Sequence, residues 1–216
     1  MIKITKTDVY GFEAAIRGMR NPMNSWDKSD SEYSYDYMPI DYAFIGKNDY
    51  ELMCKLVKAG SDHRKFMRMI CVSADILAPL YWWKEYDTYK VGTVANSCST
   101  MHKIADKEFT IDDFSHEHLE EFSVLIGKIR PTKLLETIII CLNDNREVYL
   151  KTKDKEYWWQ MIQLLPSSYN QLRTVQVNYE VLYSIYFARK DHKLDEWLTF
   201  CDWIKTLPYM RDFLEA

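Results

Sequence analysis

Apolar residues recur at helical spacing along most of this chain, and the interruptions mark its elements. Residues 2–10 alternate loosely, with Ile2, Ile4 and Val9 between polar neighbours, which predicts a strand. Asp8 is then placed to cap a helix over residues 12–19. From residue 20 to 41 the pattern lapses. Asn21-Pro22 and several Ser and Asp predict irregular chain, yet Trp26, Tyr33, Tyr35, Tyr37 and, just beyond, Tyr42 fall in or beside it. Such a loop is either pinned to the surface by its rings or laid over a planar ligand. Lys47-Asn48-Asp49 opens a helix to about residue 59, with Leu52, Leu56 and Val57 as its apolar face and Gly60 as its stop. Residues 61–63 read as a linker or cap, and the apolar, Met-rich residues 64–76 as helix or strand. Pro79, at a permitted first-turn position, begins another helix.

The second half is more regular. Residues 88–100 are small and polar, a loop whose backbone N–H groups and hydroxyls suit a phosphate or a polar ring. Ser115 to His118 precede Leu119, Phe122, Leu125 and Ile126 at helical spacing. Pro131 starts a segment to Leu142, and Asn143-Asp144-Asn145 predicts a turn or cap. Residues 155–165 carry Trp158, Met161 and Leu165 on one stripe, and Pro166-Ser167-Ser168 breaks it. One long helix is expected from about 170 to 190, with Val177, Val181, Leu182, Ile185 and Tyr186 as its face. A last helix follows at 194–203, and Pro208 ends regular structure. Helix clearly exceeds strand.

Composition narrows the function classes. At 216 residues the chain suits one domain, or one with an embellishment, and it buries a real core. A net charge of −4, with no run of Lys and Arg, argues against a duplex nucleic-acid partner. Five scattered cysteines without a CxxC pair argue against a disulfide framework or zinc ribbon, and for a reducing, cytoplasmic setting. No signal peptide is read at the N-terminus, and the longest apolar stretch, 137–142, is too short for a membrane span. Aromatic residues reach 15%, with 16 Tyr and 7 Trp, which favour half-wet positions such as clefts and interfaces.

Generic chemistry is sparse. Neither G-x-G-x-x-G nor a P-loop is present. His116 and His118 lie two apart and would not share a helix face, so no metal site is read there. Cys98 lies near His102 in the polar segment, but an inert, buried cysteine is the default.

Two segments resemble the flavin-dependent thymidylate synthases. The first is Ala78-Pro79-Leu80-Tyr81-Trp82-Trp83-Lys84-Glu85-Tyr86-Asp87-Thr88-Tyr89-Lys90 and the residues to Met101. The family there has Ala-Pro, then Arg-Gln-Trp-x-Arg-His-Arg, then a loop Ser-x-Asn-Glu-x-Ser-x-Arg-Tyr. Laid without gaps, Lys84-Glu85-Tyr86 replace Arg-Gln-Trp and Thr88-Tyr89-Lys90 replace Arg-His-Arg. The loop serines become Thr93 and Cys98, Asn-Glu becomes Ala95-Asn96, and Arg-Tyr becomes Thr100-Met101. In the second segment Pro166, Val177-Asn178, Leu182, Arg189 and Asp191 fall at the family's spacing. Glu180 stands where the family has Arg, Ile162 where it has another Arg, and Lys193-Leu194-Asp195 where it has His-Ala-Gln. Upstream, Ala14-Ala15-Ile16-Arg17 is similar to an early family helix, and Gly60 precedes Ser61-Asp62-His63-Arg64 rather than the family's Gly-His signature.

The resemblance implies a single helix-rich α+β domain over residues 1–216 with a small mixed sheet. It implies FAD, NADPH and methylenetetrahydrofolate, a pyrimidine deoxynucleotide as substrate, reductive methylation of dUMP to dTMP, and a homotetramer. It places Thr93, Asn96 and Arg189 in catalysis, and Thr88, Tyr89, Lys90 and Asn178 on the flavin. Lys84, Glu85, Cys98, Ser99 and Thr100 go on the nucleotide, and no metal is implied. The replacements at Thr88 and Thr100 each remove a fixed charge. A charged hydrogen bond to a buried ligand contributes about 1.5–3 kcal/mol, so two losses weaken binding by roughly 10²–10⁴. Lys90 keeps a cation but not the guanidinium fork. Arg17, Arg20 and Arg64 are available to compensate. Two alternatives stay open: a non-catalytic relative that binds a nucleotide or a protein, and an unrelated helical adaptor using the aromatic loop as an interface.

Overall fold

The computed structural model describes residues 1–34, 42–120 and 130–216. Six strands alternate with nine helices among these residues. β1 (Lys3–Tyr10), β4 (Cys71–Pro79), β6 (Asn170–Asn178) and β5 (Thr93–Ser97) form one sheet in the order β1-β4-β6-β5. β2 (Glu32–Ser34) and β3 (Tyr42–Phe44) form an antiparallel pair. The chain is therefore a helix-rich α+β fold. Tyr35 and Tyr37, and the predicted helical face at Phe122, Leu125 and Ile126, lie outside the described residues. Of the other rings predicted in the polar loop, Trp26 is exposed and its indole donates to Asn21 Oδ1 at 2.8 Å, while Tyr33 is half-buried.

The described residues divide into two compact units. The first holds residues 1–3, 77–87 and 97–173. Its helices are α3 (Leu80–Tyr86), the short α4 (Thr100–Lys103), α5 (Pro131–Thr152) and α6 (Lys155–Leu164). Phe109, Phe114, Leu135, Leu142 and Met161 form its core, with Trp158 and Tyr169 packed against it. Trp82, Trp83 and Tyr86 of α3 are buried, Trp82 stacked on Tyr86 at 5.2 Å between centroids. The predicted turn at 143–145 is instead the middle of α5. Asn143 no longer competes with the helix backbone, because its amide is taken by both the N–H (2.8 Å) and the carbonyl (2.9 Å) of Phe109.

The second unit holds residues 4–76, 88–96 and 174–216. Its helices are α1 (Phe12–Arg20), α2 (Lys47–Lys58), α7 (Tyr179–Arg189), α8 (Asp195–Thr206) and α9 (Met210–Glu215). α1 begins where the sequence predicts, but Asp8 does not cap it. The cap is Gly11, at φ 99°, where a Cβ would lie 2.2 Å from the Met69 carbonyl oxygen. Of the predicted α2 face, Val57 is buried and Leu52 and Leu56 are half-buried; the fully buried stripe is Asp49, Met53 and Val57, at four-residue spacing. Residues 64–76, left open as helix or strand, divide into a 3-10 turn, Arg64–Arg68, and the first part of β4. Pro79 closes β4 and serves as the extended N-cap of α3. Pro208 does not end regular structure, since Tyr209 turns the chain at φ 59° into α9, whose Phe213 meets Phe66 edge-on at 6.0 Å.

The largest correction falls at residues 170–190. The expected single helix is a strand followed by a helix. Gln171, Val175 and Val177 are buried while Leu172, Thr174 and Gln176 are exposed, a period of two that a helix cannot satisfy. Asn178 then caps α7, its Oδ1 accepting the Val181 N–H at 3.0 Å. The small polar segment expected as loop likewise contains β5.

One ion pair in this unit is fully enclosed. Arg20 Nε donates to Asp49 Oδ1 at 2.6 Å, with the two side chains 4% and 0% exposed. Asp49 Oδ2 also accepts the hydroxyls of Ser29 and Ser31, each at 2.7 Å, and the Asp30 and Ser31 N–H groups. Burial alone raises the Asp49 carboxyl, but the Ser31 and Ser29 hydroxyls and the Arg20 guanidinium outweigh it and hold the group below its ordinary value. Its contribution to stability is thus complete above the unfolded value near about 4 and is lost as pH falls through the lower folded value. Asp49→Ala strands Arg20 in the interior and is expected to cost about 3–5 kcal/mol in urea unfolding. Arg20→Met with Asp49→Leu is expected to recover most of that loss. In the wild type, an acid limb beginning below about pH 4 is expected, and the Asp49→Leu/Arg20→Met variant should flatten it.

Candidate functional site

In the second unit, the residues between α3 and β5 wrap onto the end of β6 and onto α7. Tyr89 is half-buried, its ring edge-on to Trp197 at 6.0 Å. Its hydroxyl accepts Arg189 Nε at 2.8 Å. The Arg189 guanidinium lies 4.7 Å from the Trp197 centroid and 5.6 Å from that of Tyr89, so two aromatic faces hold it. Thr93 Oγ1 donates to the Tyr89 carbonyl, closing the turn. Gly92, at φ 80°, sits where a Cβ would come within 2.6 Å of Asn178 Nδ2, so only glycine lets the chain pass so close to that amide. Tyr89, Thr93, Asn178 and Arg189 are thereby gathered in one place. Thr88 and Lys90 are exposed in the same segment, while Asn96 is exposed on β5 and makes no hydrogen bond to the cluster among the described residues.

Of the three arginines named as available for compensation, Arg20 and Arg64 are engaged elsewhere. Arg20 is locked to Asp49. Arg64 Nε donates to both carboxylate oxygens of Glu180, at 3.0 and 3.1 Å, and its guanidinium covers Tyr183 at 4.4 Å. Glu180 holds a position that the family resemblance assigns to arginine, so a cation site has become half of an internal ion pair. Arg17 is exposed, 3.9 Å from Glu13.

In the first unit, a cavity of about 500 Å³ is lined by Cys98, Ser99, Thr100, Phe109, Tyr169 and Gln171. That volume suits a small organic ligand. Three of the residues predicted to touch a nucleotide, Cys98, Ser99 and Thr100, are therefore side by side on one wall. Cys98 is exposed rather than buried. Lys84 and Glu85, from the same predicted set, do not line this cavity; Lys84 is exposed and Glu85 half-buried on α3. Two ammonium groups, Lys103 and Lys107, and three carboxylates, Asp106, Asp112 and Asp113, complete the wall. Lys103 pairs with Asp106 at 2.9 Å and Lys107 with Asp113, which leaves the lining net acidic by one charge.

Behind this wall stands a network that sequence reasoning missed. Gln171 Nε2 donates to the Cys98 carbonyl at 2.8 Å and to Thr100 Oγ1 at 3.2 Å. Its Oε1 accepts Arg173 Nε at 3.0 Å. Arg173 also donates to Asp87 at 2.7 Å and lies 4.3 Å over the Trp83 ring. The Asp87–Arg173–Gln171 chain thus fixes the backbone at Cys98 and the hydroxyl of Thr100. The period of two in Gln171, Arg173, Val175 and Val177 is the signal that places Gln171 and Arg173 on one face. Among the described residues, no group of three or more His, Cys, Asp and Glu side chains gathers as a metal site.

No protein-family model matches the sequence, and no curated protein matches it. The structure, in contrast, is similar to thymidylate synthase X from Helicobacter pylori, solved with FAD and dUMP. The TM-score is 0.69 at 15% identity, over 99% of this chain and 97% of that one. It is also similar to the UMP/dUMP methylase PolB from Streptomyces cacaoi bound with 5-Br dUMP, with a TM-score of 0.61 at 11% identity, over 100% of this chain and 93% of that one. At such identities the likeness defines the architecture. The chain has the fold seen in flavin-dependent thymidylate synthase.

Proposed function

We propose that this protein binds FAD and a pyrimidine deoxynucleotide and carries out the reductive methylation of dUMP. The supporting observation is a fold likeness, over 99% of the chain, to a protein solved with both molecules. The residues present fit a flavin in their chemistry. The second unit gathers a phenol, two threonine hydroxyls, the Asn178 amide and an exposed ammonium around a turn that only glycine permits. Lys90 and Thr88 would face its phosphates, with Tyr89 and Asn178 holding the segment in place. Thr93 and Arg189 are assigned to the reacting end, as is Asn96. When bound and reduced by NADPH, the flavin would supply hydride, with methylenetetrahydrofolate as the carbon source. The homotetramer belongs to the same proposal.

For the nucleotide, Cys98, Ser99 and Thr100 would meet the pyrimidine and sugar, with the Tyr169 and Phe109 rings as flat walls. Phosphate is the weak point. Thr100 is neutral and the surrounding wall is net acidic, so recognition rests on the ring more than on the charge. That observation also supports a second reading, a nucleotide-binding relative that has lost turnover.

Three outcomes are expected. Purified protein mixed with FAD should elute with a flavin absorption spectrum; protein that elutes colourless at generous FAD concentration would remove the cofactor assignment. Arg189→Ala, which releases Tyr89 and the turn it anchors, should weaken FAD binding by about tenfold or more while far-UV circular dichroism is retained. Thr100→Arg should tighten dUMP by roughly 10–10² while leaving deoxyuridine nearly unchanged, as read by calorimetry. Equal effects on both ligands would place the phosphate elsewhere. Turnover of dUMP with flavin bound decides between the enzyme and its non-catalytic counterpart.

A further inference from the structure

A second cavity, of about 410 Å³, lies in the first unit between α4 and the junction of α5 with α6. Tyr149 and Trp158 form aromatic walls. The ionisable groups on its lining, apart from the Tyr149 phenol, are His102, Lys153 and Lys155, and no carboxylate lines it. The neighbouring acids are absent from the wall. Asp154, between the two lysines, accepts the Glu156 N–H at 3.0 Å as the N-cap of α6, and neither Asp154 nor Glu156 lines the cavity. The cavity at Cys98 has the opposite balance, three carboxylates against two ammonium groups.

The wall is built rather than incidental. The Trp158 indole N–H donates to the Met101 carbonyl at 3.1 Å, which fixes that ring against α4. Lys153 Nζ lies 5.6 Å from the Tyr149 centroid. Lys153 adopts φ 59° as the C-cap of α5, a left-handed conformation that an asparagine or glycine would take more readily. Lys155 Nζ lies 5.8 Å from the Trp159 centroid, and two ammonium groups on a wall without a carboxylate give an anion two cationic partners.

We propose that this cavity is a binding site for a phosphate ester carrying a planar ring, of the size of one mononucleotide. Lys153 and Lys155 meet the phosphate, His102 donates or accepts a hydrogen bond at its edge, and the ring lies against Trp158 and Tyr149. The site is independent of the nucleotide cavity at Cys98 and of the proposed methylation.

The test is calorimetric titration of the protein with AMP, adenosine and inorganic pyrophosphate. AMP is expected to bind saturably. It should bind about tenfold or more above both adenosine, which lacks the charge, and pyrophosphate, which lacks the ring. Lys153→Glu with Lys155→Glu, both at exposed positions, should abolish AMP binding, while Thr100→Arg leaves it unchanged. Binding that persists in the double-lysine variant, or adenosine binding as tightly as AMP, overturns the proposal. An AMP affinity that Thr100→Arg raises, as it raises that for dUMP, would assign AMP to the Cys98 cavity and equally overturn it.

Discussion

At Asn178 the chain turns from strand to helix, and one side chain governs both sides of the change. Its Oδ1 takes the Val181 N–H, which starts α7 abruptly. Its Nδ2 faces the bare Cα of Gly92, so the polar segment after α3 lies directly against the end of β6. Eleven residues on, α7 delivers Arg189 to the hydroxyl of Tyr89 in that same segment. A strand continuing past residue 178, or a side chain at Gly92, would separate these groups. The cluster of Tyr89, Thr93, Asn178 and Arg189 in the second unit therefore depends on a cap, a glycine and the length of one helix.

Four arginines of this protein are held by its own side chains. Arg20 serves Asp49, Arg64 serves Glu180, Arg173 serves Asp87 and Gln171, and Arg189 sits between two rings. Planar guanidinium suits such fixed, partly buried contacts, whereas lysine keeps its head in water. The division has a chemical consequence. Positions where the family resemblance expects arginine at a ligand hold Thr88, Thr100 and Glu180, and the exposed cations near the two cavities and the Tyr89 segment are lysines. Lys90, Lys153 and Lys155 are exposed and form no ion pair among the described residues, while Lys103 and Lys107 are paired with aspartates.

The first unit thus presents two cavities of opposite character on either side of the four-residue helix α4. The acidic one is walled by Cys98, Ser99 and Thr100 and tuned from behind by Gln171 and Arg173. The basic one is walled by aromatic rings and lysines. The two linings therefore differ in charge, three carboxylates against two ammonium groups in the first and no carboxylate in the second.

The sequence by itself determined the excess of helix over strand, the strand at the N-terminus, α2 with its stop near Gly60, the amphipathic α6, and the adjacency of Cys98, Ser99 and Thr100. These are local outcomes, set by apolar periodicity, glycine and proline, or adjacency in the chain. The order and spacing of Pro79, Asn178 and Arg189 carried the fold resemblance even where the chemistry had changed. Tertiary structure decided the rest. Residues 170–190 contain enough apolar residues to satisfy a helical stripe, and only the sheet on which Val175 and Val177 are buried selects the period of two for the first nine. Asn143 reads as a turn residue until Phe109 claims its amide. Asp49 reads as an ordinary first-turn acid until Arg20, Ser29 and Ser31 enclose it. In each case a partner far along the chain satisfies a polar group or buries an apolar one, and no local pattern contains that partner.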